Sequence, residues 1–131
     1  MKIAIKYYWP AILWALFVLT MCCVKLGDVS DSPLFFPGFD KLVHCGFFFV
    51  MIVFSSAGYI RQQSLSSLSY KALLLITAII IAYGGLIEVL QKYVFTWRSG
   101  EWDDLFADVI GALMAAFSII ITVKSLSHEK K

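Results

Sequence analysis

Charge is scarce in this chain. Asp, Glu, Lys and Arg make up 15% of its 131 residues, against 60% hydrophobic residues. A soluble domain averages about a quarter charged and about half apolar. Too few polar residues are left to cover a soluble surface, which excludes a cytosolic enzyme, a disordered chain and a nucleic-acid binder. The net charge of +2 is also too small to draw in nucleic acid. Cysteine is scarce too. Cys22 and Cys23 lie in one apolar run and Cys45 opens another, with no CxxC and no paired Cys/His spacing. They read as small apolar residues, not as a disulfide framework, redox pair or metal set. HExxH-type spacing is absent, so the sequence calls for no metal and no cofactor.

Long apolar runs are what the chain has instead. They cover residues 7–24, 42–60, 72–90 and 105–123, broken only by His44, Glu88 and Asp108. One bilayer span needs roughly 20 apolar residues, so four spans take about 80 and leave about 50 for loops and tails. No second domain fits, and residues 1–131 form one domain. Lipid leaves no partner for a free backbone group, so each run is expected to be a helix. The expected fold is all-α, an integral membrane bundle of four transmembrane helices. The first run follows Lys2 and Lys6, as a signal peptide would. It is long for that role and ends in no small-x-small site. Leu19-Thr20-Met21-Cys22 resembles a lipoprotein cleavage box, but Met21 stands where a small residue is needed. A retained span is expected.

The connections set the orientation. The 25–41 stretch holds Gly27, Pro33, Pro37 and Gly38 and reads as a true loop, with Phe35-Phe36-Pro37 suited to the interface. Trp97 and Trp102 in the 91–104 stretch suit the headgroup level. Lys2, Lys6, Arg61, Lys71, Lys124, Lys130 and Lys131 fall on one side; Lys25, Lys41, Lys92 and Arg98 fall on the other. The positive-inside rule then places both termini in the cytoplasm. Asp28, Asp31, Asp40, Glu101, Asp103 and Asp104 lie in the two outer loops, in agreement.

With these directions the ionisable residues of the spans gather at one face. Asp40, Lys41 and His44 start the second span, Glu88 and Gln91 end the third, and Asp104 and Asp108 start the fourth. Asp40 and His44 are i, i+4, and Lys41 and His44 are i, i+3, so the three share a helix face. Glu88 and Gln91 share another, which Gly84 extends inward. Asp104, Asp108, Gly111 and Ala115 follow i, i+4, i+7, i+11, and Ala107, Gly111 and Ala115 form a small-residue stripe that lets helices approach closely. If the faces meet, they form a pocket open to the outside, with His44, Glu88 and Asp108 about one turn, ~5 Å, below the surface. Singly, Asp40 and Asp104 also suit helix N-capping, and Lys41, Lys92 and Arg98 suit interfacial anchoring. Together, ionisable groups from three helices at one depth point to function.

These residues carry a resemblance. Asp40-Lys41-Leu42-Val43-His44 is similar to the DKxxH that opens the second span of VanZ-like membrane proteins. Glu88-Val89-Leu90-Gln91 resembles the family's ExxQ at the end of the third span, and Arg98 matches the arginine of the following loop. Asp104-Leu105-Phe106-Ala107-Asp108-Val109-Ile110-Gly111 resembles its DxxxNxxG. Order and spacing agree over about residues 40–115. Asp108 stands where the family typically has Asn and adds an acid beside Glu88; Cys45 replaces a usual aromatic and Ala115 a common glycine. The resemblance implies a protein of the bacterial cell envelope, in the inner (cytoplasmic) membrane. The family's namesake is associated with resistance to the glycopeptide teicoplanin.

Three functions fit the polar set. In the first, a non-catalytic pocket of Asp40, Lys41, His44, Glu88, Gln91, Arg98, Asp104 and Asp108 binds a lipid headgroup, a glycopeptide or a partner protein, with Arg98 or Lys41 meeting an anion. In the second, a small membrane enzyme acts on a lipid-linked phosphate or acyl group, with His44, Glu88 and Asp108 as candidate acid–base residues. A proton-coupled transporter subunit is weaker, because the acids do not cross the membrane. Beyond the bilayer itself, a homo-oligomer or a membrane partner stays open.

Overall fold

The computed structural model describes residues 5–24, 36–64, 68–95, 97 and 100–128. Four helices account for most of them: α1 (Ile5–Cys23), α2 (Phe39–Gln63), α3 (Tyr70–Tyr93) and α4 (Trp102–His128). All four are long and apolar enough to cross a membrane. No strand occurs among the described residues. The chain is thus an all-α bundle with the character of a multi-pass membrane protein. Each predicted span falls on one helix. The last three helices run a few residues past their apolar runs at both ends, because helix continues into the polar flanks.

Local sequence sets the helix starts. Pro37 and Gly38 form a turn closed by the Phe39 N–H donating to the Phe36 carbonyl at 3.0 Å. Gly38 adopts φ 86° and ψ 5°, the left-handed conformation a type II turn requires after its proline. The turn launches α2 and fixes which way Asp40, Lys41 and His44 face. At the start of α3, the Ser69 hydroxyl accepts the Ala72 N–H at 3.2 Å. Within the apolar helices, hydroxyls find acceptors one turn back: Thr77 donates to the Leu73 carbonyl at 2.8 Å and Ser118 to Met114 at 2.9 Å. Lipid offers them nothing else.

The bundle is built around the α2–α4 contact, with α1 against α2 and α3, and α3 against α4. Val18, Phe48, Ile52, Ile87, Ala112 and Ala115 form the centre of the core. The alanines matter as much as the large residues. Inside lipid, helices associate by close packing and not by escape from water, so small residues decide where backbones touch. Gly111 is the tightest point: a Cβ there would run into the Cys45 carbonyl group and stand 2.9 Å from the Cys45 Cα. Ala107 and Ala115 are buried on either side of it, so the predicted stripe is the α4 side of the contact. Many large apolar side chains point outward, among them Leu74, Leu75, Ile79, Phe106, Leu113 and Phe117. In water this would be a severe aggregation liability; for a bundle in lipid it is the ordinary exterior.

α1 is bound differently. Tyr83 Oη donates to the Ala15 carbonyl at 2.7 Å, and Trp14 Nε1 donates to the Phe47 carbonyl at 2.9 Å. At its C-terminal end, Gln91 Nε2 donates to the Cys22 carbonyl at 2.8 Å and Trp97 Nε1 to that of Cys23 at 3.0 Å. The last two satisfy carbonyls that a helix end leaves free.

Candidate functional site

The polar faces of α2, α3 and α4 do meet, at the end of the bundle where α1 and α3 finish and α2 and α4 begin. His44 lies at the centre. Its Nδ1 is 3.0 Å from Asp108 Oδ1 across the α2–α4 contact, and both residues are buried. Its Nε2 is 3.9 Å from both Cys22 Sγ and Asp104 Oδ2. The close α2–α4 approach at Gly111, one turn further in, makes the short His44–Asp108 distance possible.

Glu88 approaches from α3 and is 92% buried, at 8% exposure. Neither of its carboxylate oxygens has a hydrogen-bond partner among the described residues. The Glu101 backbone N–H approaches this carboxylate, short of a well-formed hydrogen bond. Asp108 Oδ2 is equally unpartnered. It rests where the missing side chain of Gly84 leaves room, since a Cβ there would lie 2.8 Å from that oxygen. Gly84 therefore makes space for a carboxylate as well as for the Phe48 ring. Gln91 is fully buried and spends its amide N–H on α1. Gly100 packs against the Glu88 carbonyl, where a Cβ would come within 2.8 Å. That brings the chain before α4 down onto Glu88.

Above this layer is a rim. Lys41 Nζ reaches Asp104 Oδ1 at 3.2 Å and Asp40 and Glu101 at 3.4 Å each. Asp40 and Glu101 are exposed, while Asp104 is buried beneath the ammonium. One cation thus spans acids from α2, α4 and the residue before α4. Asp40 is in the first turn of α2, but Gly38 holds the N-cap position and has no side chain to cap with.

The expected pocket was one open to the outside. Among the described residues, His44 and Asp108 are instead buried, and an opening lies at Glu88. There a cleft of about 150 Å³ runs between α3 and α4, lined by Gly85, Glu88, Val89, Lys92, Glu101 and Trp102 among others. Of the predicted site residues, Asp40, Lys41, His44, Glu88, Gln91, Asp104 and Asp108 come together at this end, and Arg98 lies outside the described residues. Cys22 was missed. In the sequence it has the look of a small apolar residue, yet its sulfur faces the ring nitrogen of His44 that Asp108 does not use. Its one sequence signal was its place at the end of the first apolar run, at the depth of His44. Trp97, expected at the headgroup level, also ties α3's trailing loop to α1 through its ring N–H. Comparison with protein-family models, curated proteins and solved structures finds no match to this chain.

Proposed function

We infer that this chain is a VanZ-like envelope protein of a bacterial inner membrane that holds a lipid headgroup at the polar end of its bundle. The DKxxH, ExxQ and DxxxNxxG resemblances support the family, and the charge count supports placing this end outside and both termini in the cytoplasm. The observation that carries the ligand is the cleft at Glu88. Exposed Tyr93 and Trp102 flank it at the level where aromatic side chains meet headgroups. Glu101 offers a carboxylate to an ammonium group at this cleft, and Lys92 beside it offers a cation to a phosphate. That charge pattern suits a zwitterionic headgroup of the ethanolamine type. Pockets for drug-sized ligands run to about 300–1,000 Å³. A space of about 150 Å³ takes a headgroup and not a whole glycopeptide. A link to teicoplanin resistance would then act through the lipid.

Gly85 supplies the test. A Cβ there meets nothing within 4 Å, and Gly85 lines the cleft. Gly85→Leu should leave the helices intact and fill the space. Native mass spectrometry of protein taken from mixed phosphatidylethanolamine and phosphatidylglycerol vesicles should show ethanolamine lipid on the wild type. The variant should retain it at least ~10-fold less, as expected when a ligand's contacts are blocked. Equal retention by both proteins would sink the proposal.

A second role has one specific observation in its favour. Cys22 Sγ, His44 and Asp108 stand in the order nucleophile, base and orienting acid, with the acid on Nδ1 and the sulfur toward Nε2. All three are buried, which favours binding over catalysis. Turnover of the retained lipid, lost in Cys22→Ala, would establish an enzyme instead.

The orientation has its own check. In a background without the native cysteines, Asp103→Cys should react with a membrane-impermeant maleimide in intact cells. Lys71→Cys should react only after permeabilisation. Both positions are exposed and lie at opposite ends of the bundle. The reverse pattern would put the polar end in the cytoplasm.

A further inference from the structure

Two buried carboxylates with unpartnered oxygens at one point are costly. An ion must be paired or hydrogen-bonded to be stable away from water. Asp108 has only His44 on one oxygen, and Glu88 has no bonded group on either. One donor atom from each of His44, Glu88 and Asp108 lies within 4.8 Å of the other two, and all three residues are buried. The other acidic group at this end, Asp40, Glu101 and Asp104, is different. Two of its members are exposed to water, and all three already contact the Lys41 ammonium.

We propose that His44, Glu88 and Asp108 hold one divalent transition-metal ion, of the zinc or manganese class. Two carboxylates and a neutral imidazole balance a 2+ charge, which removes the net charge from a low-dielectric interior. The donor types match: imidazole nitrogen and carboxylate oxygen bind zinc at about 2.0–2.2 Å. Such bonds at tetrahedral angles put ligand atoms about 3.4 Å apart. From within 4.8 Å the set closes by up to ~1.4 Å, and the unbonded Glu88 carboxylate, beside the cleft, is the group to move. His44 Nδ1, already 3.0 Å from Asp108 Oδ1, is the ring atom turned toward the set. With the ion on Nδ1, the ring proton sits on Nε2, facing Cys22 Sγ and Asp104 Oδ2 as outer-shell partners. Three protein ligands leave a coordination position open, as catalytic and substrate-binding metals have. The cleft reaches the site on the Glu88 side. No HExxH-like spacing marks this set in the sequence, because each ligand comes from a different helix. The site stands whether or not the cleft takes a lipid.

The test uses full-length protein in detergent, stripped with chelator and returned to Zn²⁺ or Co²⁺. The wild type should take up one ion per chain, and Co²⁺ should give the visible absorption of nitrogen–oxygen coordination. Glu88→Gln and Asp108→Asn should each weaken uptake by more than the about 10–100-fold that loss of an outer-shell partner causes. Gly85→Leu, which blocks the cleft, and Glu101→Gln, at the rim, should change it by less than ~3-fold. Zn²⁺ should raise the thermal midpoint of the wild type and leave that of Glu88→Gln where it was. Uptake well below one ion per wild-type chain would overturn the site. So would unchanged uptake in both ligand variants, and neither result bears on lipid retention.

Discussion

Gly111→Ala is expected to destabilise the bundle more than alanine at Gly46 or Gly85. The added methyl group lands on the Cys45 carbonyl and lies 2.7 Å from its carbon. Overpacking typically costs ~1–3 kcal/mol, and more where nothing yields. Here the obstacle is backbone on the facing helix, not the end of a flexible side chain, so α2 and α4 must separate. That separation also lengthens the His44–Asp108 contact one turn away. Gly46 and Gly85 have open space around the same point. Alanine at either should be neutral or gain the roughly 0.5–1 kcal/mol that helix propensity gives over glycine. Thermal unfolding in detergent, followed by circular dichroism, distinguishes the three. Equal midpoints for Gly111→Ala and Gly85→Ala would show that the helices are not in contact at Gly111.

His44→Leu is the second large effect, measured with chelator present. It leaves the Asp108 carboxylate, 1% exposed, with no partner on either oxygen among the described residues. Breaking a buried charged pair by removing one member costs about 3–5 kcal/mol, while replacing both by apolar groups of similar size is often neutral. The double variant His44→Leu/Asp108→Leu should therefore be far more stable than the sum of its parts predicts. The coupling should fall in the upper part of the ~0.5–3 kcal/mol range seen for contacting residues. A double-mutant cycle of unfolding free energies measures it. Additive costs would mean that the two side chains do not interact.

The four spans were legible because lipid imposes one rule, a long apolar run, that sequence displays directly. The shared depth of His44, Glu88 and Asp108 followed from alternating helix directions. Gly111 and its alanine neighbours announced a close approach by their size alone. What was not legible has a common cause. Apolar runs carry little periodicity, so nothing told which side of α1 faces inward, and Cys22 passed as one more small residue. The carbonyls of Ala15, Cys22 and Cys23 accept hydrogen bonds from other elements, and a backbone acceptor leaves no mark in sequence. The burial of His44 depends on how near α4 comes to α2. That distance depends on residues facing each other across the bundle, not on spacing along either helix.

The His44–Asp108 pair also has a consequence for how the protein is made. Its members are 64 residues apart in the chain. At about 5–20 residues per second, Asp108 emerges from the ribosome roughly 3–13 s after His44. During that interval α2 is in the membrane with its imidazole unmatched. Lying one turn from the surface, His44 can keep contact with interfacial water at small cost. The arrival of α4 ends that wait, and the last helix then packs against both α2 and α3.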